Sequence, residues 1–235
     1  MVYGVNDMAY SVPRRDPRTQ SEGVVEGYAQ TARRWPSQPL ARRPHGLSEL
    51  TGPRLSSRLK ITPGDLAGHG ARRALGQLID LRVSIVDEDG APVSGAMVEI
   101  WHCNAAGKYI HPNDSNDAPE DPNFYGAARL LADAAGRVEL RTIKPGAYPV
   151  PDTDGWWRPP HIHFSVWGRV WLSRLVTQMF FPGEPLNERD AILNAVRDPQ
   201  ARGRCIARFV PQAGNALIYE YDLVVRGGSA AVELP

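Results

Sequence analysis

Residues 156–164 read WWRPPHIHF, and this stretch decides the prediction of both the fold and the site. The run from His161 to Trp167 is rich in β-branched and aromatic residues, which predicts a strand. Because strand side chains alternate between two faces, His161 and His163 should project to one side and Ile162 to the other. Two imidazoles on one face can bind a metal ion or can simply be hydrogen-bonded, so the pair alone leaves both interpretations open.

Short alternating segments on both sides of this stretch indicate a fold made of strands. The segment from Leu78 alternates apolar and polar residues up to a turn at 89–90, and a second strand around 97–101 is expected to form with it a hairpin or a pair of sandwich strands. One short helix is predicted at 188–196. The pattern predicts an all-β fold, an antiparallel β-sandwich of the transthyretin or immunoglobulin-like kind with long functional loops. Strands at 126–131 and 137–143, which flank a turn at 134–136, are predicted to form a further pair, and single strands are predicted at 172–180 and 217–226.

The chain divides near residue 70. Residues 1–70 are rich in proline and paired arginines and lack a sustained period, which predicts an extended N-terminal arm that packs on the core or on a partner chain. Residues 71–235 are predicted to form the β-sandwich domain, which would carry any catalytic site. A chain of 235 residues is long enough for one large core.

Charge and cysteine usage exclude several classes of protein. The formal net charge of +1 gives no reason to expect nucleic acid or acidic lipid as a partner. Cys103 and Cys205 form no CxxC motif, so neither a zinc ribbon nor a disulfide framework is indicated. The N-terminus lacks the features of a signal peptide and no apolar run approaches transmembrane length, so a cytoplasmic protein is expected.

Two irregular loops, at 104–123 and 144–160, each carry a tyrosine flanked by glycine and proline. Tyr109 lies in GKYIHPND and Tyr148 in KPGAYPVPD. A strongly charged ion can remove the proton of a phenol, and phenolates beside neutral imidazoles suit a ferric ion. Loop tyrosines also pack and form hydrogen bonds without any metal, and their spacing does not link these two to the histidines.

Four motifs, taken together and in this order, resemble the intradiol ring-cleavage dioxygenases: GAPVSGAMVEIWHCNAAGKYIHPND, DPNFYG, RTIKPGAYP and WRPPHIHF. The likeness runs from about Ser48 to Arg226. It implies that a non-haem Fe(III) is bound by four residues of this chain, namely Tyr109, Tyr148, His161 and His163.

The resemblance also implies roles in catalysis. Tyr148 would be displaced from the iron by a catechol, whose ring is then opened by O2 between the two hydroxylated carbons. Arg158 would lie beside the substrate and stabilise negative charge, although a structural salt bridge is the other interpretation of this residue. Gln178 would line the pocket.

The sequence departs from the family's pattern where the substrate would bind. Val150 stands where members that act on protocatechuate usually carry tryptophan, and His102 and Cys103 stand where close relatives have glutamine and alanine; the segment SNDAPED at 115–121 differs as well. The expected substrate is protocatechuate (3,4-dihydroxybenzoate), converted to 3-carboxy-cis,cis-muconate. A sulfocatechol or hydroxyquinol is the alternative within the class.

A partner chain is also implied. In the branch of the family with two kinds of chain, the α chain lacks the iron site, so the intact set of four ligands indicates the β type, with a homologous α chain in an αβ hetero-oligomer. A homo-oligomer stays open.

Two other classes of protein compete with this interpretation. DEDGAPVSGAMVEI also resembles the strands of transthyretin-like binding modules, which are not enzymes. A zinc or copper hydrolase or oxidase could use the histidine pair with His102 or His111 as a third ligand.

Overall fold

The computed structural model describes residues 16–19, 23–38, 60–69, 72–167 and 174–225. The strands within these residues are β1 (Gly68–His69), β2 (Arg72–Arg73), β3 (Leu78–Asp87), β4 (Met97–Trp101), β5 (Ala127–Leu131), β6 (Arg137–Ile143), β7 (Tyr148–Pro149), β8 (Trp157–Arg158), β9 (His161–Trp167), β10 (Arg174–Phe180), β11 (Arg208–Val210) and β12 (Leu217–Val225). The α-helices are α1 (Ala29–Arg34), α2 (Ala191–Asn194) and α3 (Pro199–Gly203), and 3-10 turns lie at Pro17–Thr19 and Pro185–Arg189.

Two four-stranded sheets form the sandwich and enclose one core. The first has the order β11-β12-β3-β6 and the second the order β10-β9-β4-β5. Alternate side chains of each strand enter the core, as shown by Val83 of β3 and Phe164 of β9, which are 1% and 0% exposed. Burying a side chain of this size contributes roughly 1.5–3 kcal/mol. The predicted all-β sandwich is confirmed.

The sheets are not wholly antiparallel. β12 pairs in parallel with β3 over its whole length, while the other named pairs are antiparallel. Alternation of apolar and polar residues is the same in both orientations, so the sequence pattern could not reveal this parallel pair.

Two predicted strand pairs are corrected by the sheet order. β3 and β4 belong to opposite sheets, so the sandwich alternative is right and the hairpin alternative is wrong. β5 and β6 are likewise divided between the sheets. The connection from β3 to β4 crosses the sandwich through Val93 and Ala96, which are buried in the core, and that burial makes a crossing more favourable than a tight turn.

The predicted helix at 188–196 is broken into two pieces. The 3-10 turn ends at Arg189, Asp190 is extended with ψ 112°, and α2 starts at Ala191. The Asp190 side chain caps α2, accepting a hydrogen bond from the Leu193 backbone N–H at 2.7 Å. The helices α1 and α3 were not predicted, although Asp198 followed by Pro199 is the usual start of a helix such as α3.

The described part of the arm packs against the sandwich. Leu66 and Ala67 are buried in the core, and Val25 is 9% exposed. The division of the chain at residue 70 stays a prediction, since residues 1–15 and 39–59 lie outside the described residues. No helix among the described residues is long and apolar enough to cross a membrane.

Candidate metal centre and active site

Strand β9 places both histidines on one face, as predicted. The rings of His161 and His163 lie with centroids 4.9 Å apart, while Ile162 and Phe164 enter the core on the other face. His161 is only 1% exposed, whereas His163 is half-buried. The histidine pair therefore lies at the start of β9, with one ring buried and the other half-buried.

The first tyrosine loop is folded around Asn104. The Asn104 side chain accepts the backbone N–H groups of Ala106 and Lys108 at 2.9 and 3.0 Å and donates to the Pro119 carbonyl at 2.8 Å. Further along, the Tyr109 backbone N–H donates to Asp114 Oδ2 at 2.6 Å. These bonds satisfy polar groups that a loop would otherwise leave unpaired, and they fix the position of the Tyr109 ring.

Two glycines allow the second tyrosine loop to pack closely against the first. A Cβ on Gly107 would lie 2.4 Å from the Ala147 carbonyl oxygen and 3.1 Å from Tyr148 Cβ, and Gly107 has a φ of +83°. A Cβ on Gly146 would lie 2.4 Å from the Ala105 carbonyl oxygen. A side chain at either position would clash with the other loop, so only glycine permits this approach. The absence of both side chains lets the two loops bring their tyrosines together.

The four predicted iron ligands meet at one place. The Tyr109 hydroxyl lies 3.1 Å from His163 Nε2, and the Tyr148 hydroxyl lies 3.3 Å from His161 Nε2. The two tyrosine rings are in edge contact, with centroids 5.4 Å apart. Since His161 Nδ1 donates to the Pro159 carbonyl at 2.7 Å, its Nε2 keeps a lone pair that faces the centre.

Burial sets the protonation states of these groups. It lowers the pKa of His163 to about 3, and it lowers the pKa of His161 well below the ordinary value, with the Arg158 cation adding to both effects. Burial also raises the pKa of Tyr148, and it raises the pKa of Tyr109 further, with Tyr148 adding to the rise. All four groups are therefore neutral at neutral pH when no cation is present.

This donor set fits a hard, highly charged cation. Neutral imidazoles are the form that binds metal, and a trivalent ion would reverse the effect of burial on the tyrosines by stabilising their phenolates. Two phenolate oxygens would offset most of the charge of such an ion at this largely buried place.

The alternative with zinc or copper receives no support from the described residues, where no group of three or more His, Cys, Asp and Glu side chains is placed to hold a metal. His102 is fully buried and uses both ring nitrogens, on the Cys103 carbonyl at 2.8 Å and on Thr142 Oγ1 at 2.9 Å. His111 is exposed, and its Nδ1 accepts the backbone N–H of Asn113 at 3.1 Å.

Arg158 lies opposite Tyr148 in the two-stranded sheet of β7 and β8. It is 4% exposed, and its Nε donates to Asp190 Oδ2 at 2.5 Å while its Nη2 donates to Gln178 Oε1 at 2.6 Å. Gln178 lies on β10, directly opposite His163 on β9. The two interpretations of Arg158 are therefore compatible, because the residue forms a buried salt bridge and also lies beside the centre.

Aromatic rings surround this cation and the histidines. The guanidinium carbon lies 5.7 Å from the centre of the Trp156 ring and 6.0 Å from that of Phe180. Tyr28, from the N-terminal arm, packs edge-on against Trp156 with ring centroids 5.3 Å apart. The sequence analysis missed Asp190 and Tyr28, since no local pattern reports contacts over such separations along the chain.

The residues that depart from the family's pattern have ordinary structural partners. Val150 is 9% exposed, and its backbone closes the loop between β7 and β8 by accepting a hydrogen bond from Thr153 Oγ1 at 2.8 Å. The Cys103 thiol donates to the Gly146 carbonyl at 3.4 Å and so joins the two tyrosine loops. In the segment at 115–121, Asp121 Oδ2 accepts the Leu75 N–H at 2.7 Å. Whether Val150 and Gln178 line a substrate pocket stays a prediction.

Taken together, the fold and the site define a class of protein: an all-β sandwich with a buried centre of two tyrosines and two histidines. The sequence profile of a family described as dioxygenase matches residues 50–227. The chain belongs to the intradiol ring-cleaving dioxygenases, a family that uses non-haem iron.

Comparison with individual proteins refines this assignment. The chain is 42% identical over 222 residues to the protocatechuate 3,4-dioxygenase beta chain of Burkholderia cepacia, covering 92% of this chain and 94% of the relative. It is 30% identical over 175 residues to the protocatechuate 3,4-dioxygenase alpha chain of the same organism, covering 73% and 82%. In fold it is similar to 3-chlorocatechol 1,2-dioxygenase from Rhodococcus opacus 1CP, with a TM-score of 0.56, 23% identity and coverage of 75% and 70%.

Proposed function

We propose that this chain is the iron-binding chain of an intradiol dioxygenase that cleaves protocatechuate with O2 to 3-carboxy-cis,cis-muconate. The observation that carries the proposal is the convergence of the Tyr109 and Tyr148 hydroxyls on the Nε2 atoms of His163 and His161, at 3.1 and 3.3 Å. The 42% identity to a protocatechuate 3,4-dioxygenase beta chain supports the choice of substrate.

In this proposal Tyr109, Tyr148, His161 and His163 hold a non-haem Fe(III). A ferric ion held by these residues would supply Lewis-acid chemistry, which would make the ring of a catechol reactive towards O2. His161 is held in the required tautomer by the Pro159 carbonyl, which accepts its Nδ1 proton.

Tyr148 and Tyr109 are suited to different tasks. The Arg158 cation is the main influence that opposes the rise in the pKa of Tyr148, whereas for Tyr109 it ranks last among the causes that shift the pKa. Tyr148 also lies on the short β7–β8 sheet, whereas Tyr109 is enclosed by a loop with many internal hydrogen bonds. We assign Tyr148 the role of the exchangeable ligand, whose phenolic oxygen would accept a proton from a catechol hydroxyl.

Arg158 supplies a fixed positive charge beside the substrate. Its side chain is 5% exposed, between the rings of Trp156 and Phe180, so its charge is poorly screened by water. A cation in this position stabilises negative charge that develops on the ring during cleavage.

The partner in this proposal is a homologous α chain. The relatives of this chain include both chains of the Burkholderia cepacia enzyme, which supports an assembly of two chain types. The described surface also carries large apolar side chains such as Leu75, Ile110 and Val176, which are 73%, 60% and 57% exposed and are suitable for burial against another chain.

A second substrate class is favoured by one specific residue. Val150 offers a smaller side chain than the tryptophan expected at this place in enzymes that act on protocatechuate. A wider pocket would suit another catechol with a bulkier or differently placed substituent, such as a sulfocatechol or hydroxyquinol.

The experiment that tests the proposal is a visible absorption spectrum of the purified, iron-loaded protein without oxygen, before and after addition of protocatechuate. We expect a broad tyrosinate-to-iron band that moves to longer wavelength with substrate, and ring cleavage once O2 is admitted. A protein that stays colourless with iron, both alone and with a candidate α chain, overturns the proposal. A coloured protein that cleaves only another catechol retains the chemistry and replaces the substrate.

A further inference from the structure

The strongest observation outside the four metal-binding side chains is the way in which Arg158 is held. A guanidinium has five N–H donors in a rigid plane. That of Arg158 donates three hydrogen bonds to described residues. Nε donates to Asp190 Oδ2 at 2.5 Å, and Nη2 donates to Gln178 Oε1 at 2.6 Å and more weakly to Asp190 Oδ1 at 3.4 Å. Nη1 donates no hydrogen bond to any of the described residues, so with respect to this part of the chain one edge of the guanidinium is free.

Asp190 is a fully buried carboxylate with two separate tasks. It is 0% exposed, and its Oδ2 receives Arg158. Its Oδ1 accepts a hydrogen bond from the Leu193 N–H at 2.7 Å and so caps α2. A buried carboxylate is costly unless it is paired, and here the short hydrogen bonds of the two oxygens go to different groups, Arg158 and the Leu193 N–H.

We propose that Asp190 is the positioning residue for Arg158: it fixes the guanidinium by Nε and turns the free Nη1 edge towards the substrate. The inference rests on the proposed function, since it gives Arg158 a substrate to face. Asp190 does not itself touch the substrate. It acts through the arginine, and by capping α2 it joins the position of the arginine to that of the helix.

Asp190→Asn separates the two tasks. Asparagine is as good a helix cap as aspartate, so its oxygen can keep the Leu193 N–H. Its NH2 group then faces Arg158 Nε–H, and a charge-assisted hydrogen bond is replaced by two donors in opposition. The matched control is Asp198→Asn, because Asp198 caps α3 in the same way, accepting the Ala201 N–H at 2.8 Å.

The experiment is a double-mutant cycle on the iron-loaded complex with Asp190→Asn, Arg158→Gln and the two together. We expect Asp190→Asn to lower kcat on the order of 100-fold, the loss typical of a displaced catalytic group, with the visible band of the resting enzyme unchanged. In the Arg158→Gln background the same change should cost nothing further, since the group through which Asp190 acts is gone. Asp198→Asn should keep the wild-type kcat, and Asp190→Glu, which retains the charge, should recover at least tenfold over Asp190→Asn.

Thermal unfolding supplies a readout that does not depend on activity. Asp190→Asn leaves a buried cation unpaired, so its Tm should fall below that of the double variant, in which both charges are absent. If Asp190→Asn does not fold, the double variant should still fold with the kcat of Arg158→Gln. A double variant that also fails to fold overturns the inference, because the folding defect of Asp190→Asn would then not come from an unpaired Arg158 cation.

Two kinetic results would also overturn the inference: losses that multiply in the double variant, or an Asp190→Asn enzyme as active as Asp198→Asn. Failure of the proposed function is distinguishable from either result. In that case the wild-type complex cleaves no catechol, while the unfolding comparison still decides whether Asp190 holds Arg158.

Discussion

The indole of Trp101 lies parallel to the imidazole of His163, with ring centroids 4.8 Å apart and planes inclined by 5°. The two residues are register partners on β4 and β9. The neighbouring His161 is oriented differently, by the hydrogen bond from its Nδ1 to the Pro159 carbonyl. The orientation of one imidazole therefore depends on a hydrogen bond and that of the other on a stacked ring.

Replacing Trp101 by leucine should loosen the His163 ring and weaken iron binding. Loss of a group that orients a metal ligand typically costs about 10- to 100-fold in metal affinity. We expect Trp101→Leu to lose iron to a chelator at a correspondingly lower chelator concentration than the wild type does. The loss of the visible band measures the iron released. Trp167→Leu is the control, because Trp167 lies at the other end of β9 and packs on Arg174. Equal iron retention in Trp101→Leu and the wild type would contradict the prediction.

The close approach of the two tyrosine loops gives a prediction for Gly107. In Gly107→Ala the new methyl group meets the Ala147 carbonyl and Tyr148, and alanine must also adopt a φ of +83°. The matched control is Gly183→Ala, since Gly183 has a φ of +74° and nothing lies within 4 Å of the added Cβ.

We expect the control to lose about 1 kcal/mol of unfolding free energy from backbone strain alone. Gly107→Ala should lose roughly 1–3 kcal/mol more from overpacking and should bind less iron. Urea unfolding and iron content measure the two effects. If both variants were equally stable and equally loaded with iron, the contact between the loops would not matter for the centre.

The sequence could predict the parts of this molecule that depend on local pattern. The alternation in β9 was sufficient to place His161 and His163 on one face, because that periodicity is a property of any strand. It could not bring Tyr109 and Tyr148 to those histidines, since their meeting depends on how two loops pack. Only the resemblance to a known family supplied that link, and the four side chains do converge.

Asp190 shows the opposite case, in which tertiary contacts override local preference. The run from Glu188 to Val196 favours a continuous helix, yet the chain is extended at Asp190. The extended residue directs its carboxylate to Arg158, which is 32 residues away along the chain. A helix through Asp190 would leave that buried arginine without its anion, a cost that no local propensity can offset.

His102 should make the iron-free protein less stable in acid. Its Nδ1–H must donate to the Cys103 carbonyl, so Nε2 accepts from the Thr142 hydroxyl and the ring is neutral. Burial lowers the pKa of His102 from 6.5 to about 4. Below pH 6.5 His102 takes up a proton in the unfolded chain but not in the folded chain. The contribution of the neutral His102 to the free energy of unfolding is therefore fully present above pH 6.5 and is lost as the pH falls towards 4.

The variant His102→Gln removes this titration and retains a polar side chain. Its free energy of unfolding should fall less between pH 6.5 and pH 4 than that of the wild type, by about 3 kcal/mol. Urea unfolding at several pH values and constant ionic strength measures the difference, with His111→Gln as the exposed control. Parallel pH profiles for the wild type and His102→Gln would show that His102 is not the group responsible.

Val150 is the residue at which substrate preference should respond to a single change. It directly follows the β7 strand that carries Tyr148, and its backbone is fixed by a hydrogen bond from its N–H to the Trp156 carbonyl at 2.9 Å. Val150→Trp should therefore keep the backbone and fill space beside the centre. We expect kcat/KM for a sulfocatechol to fall relative to protocatechuate by about 10- to 100-fold, since pocket volume discriminates substrates on this scale. Val150→Ile, which adds one methylene, should shift the ratio in the same direction but less. The measurement is the product ratio from the two substrates in competition, and an unchanged ratio in Val150→Trp would place the specificity-determining wall elsewhere.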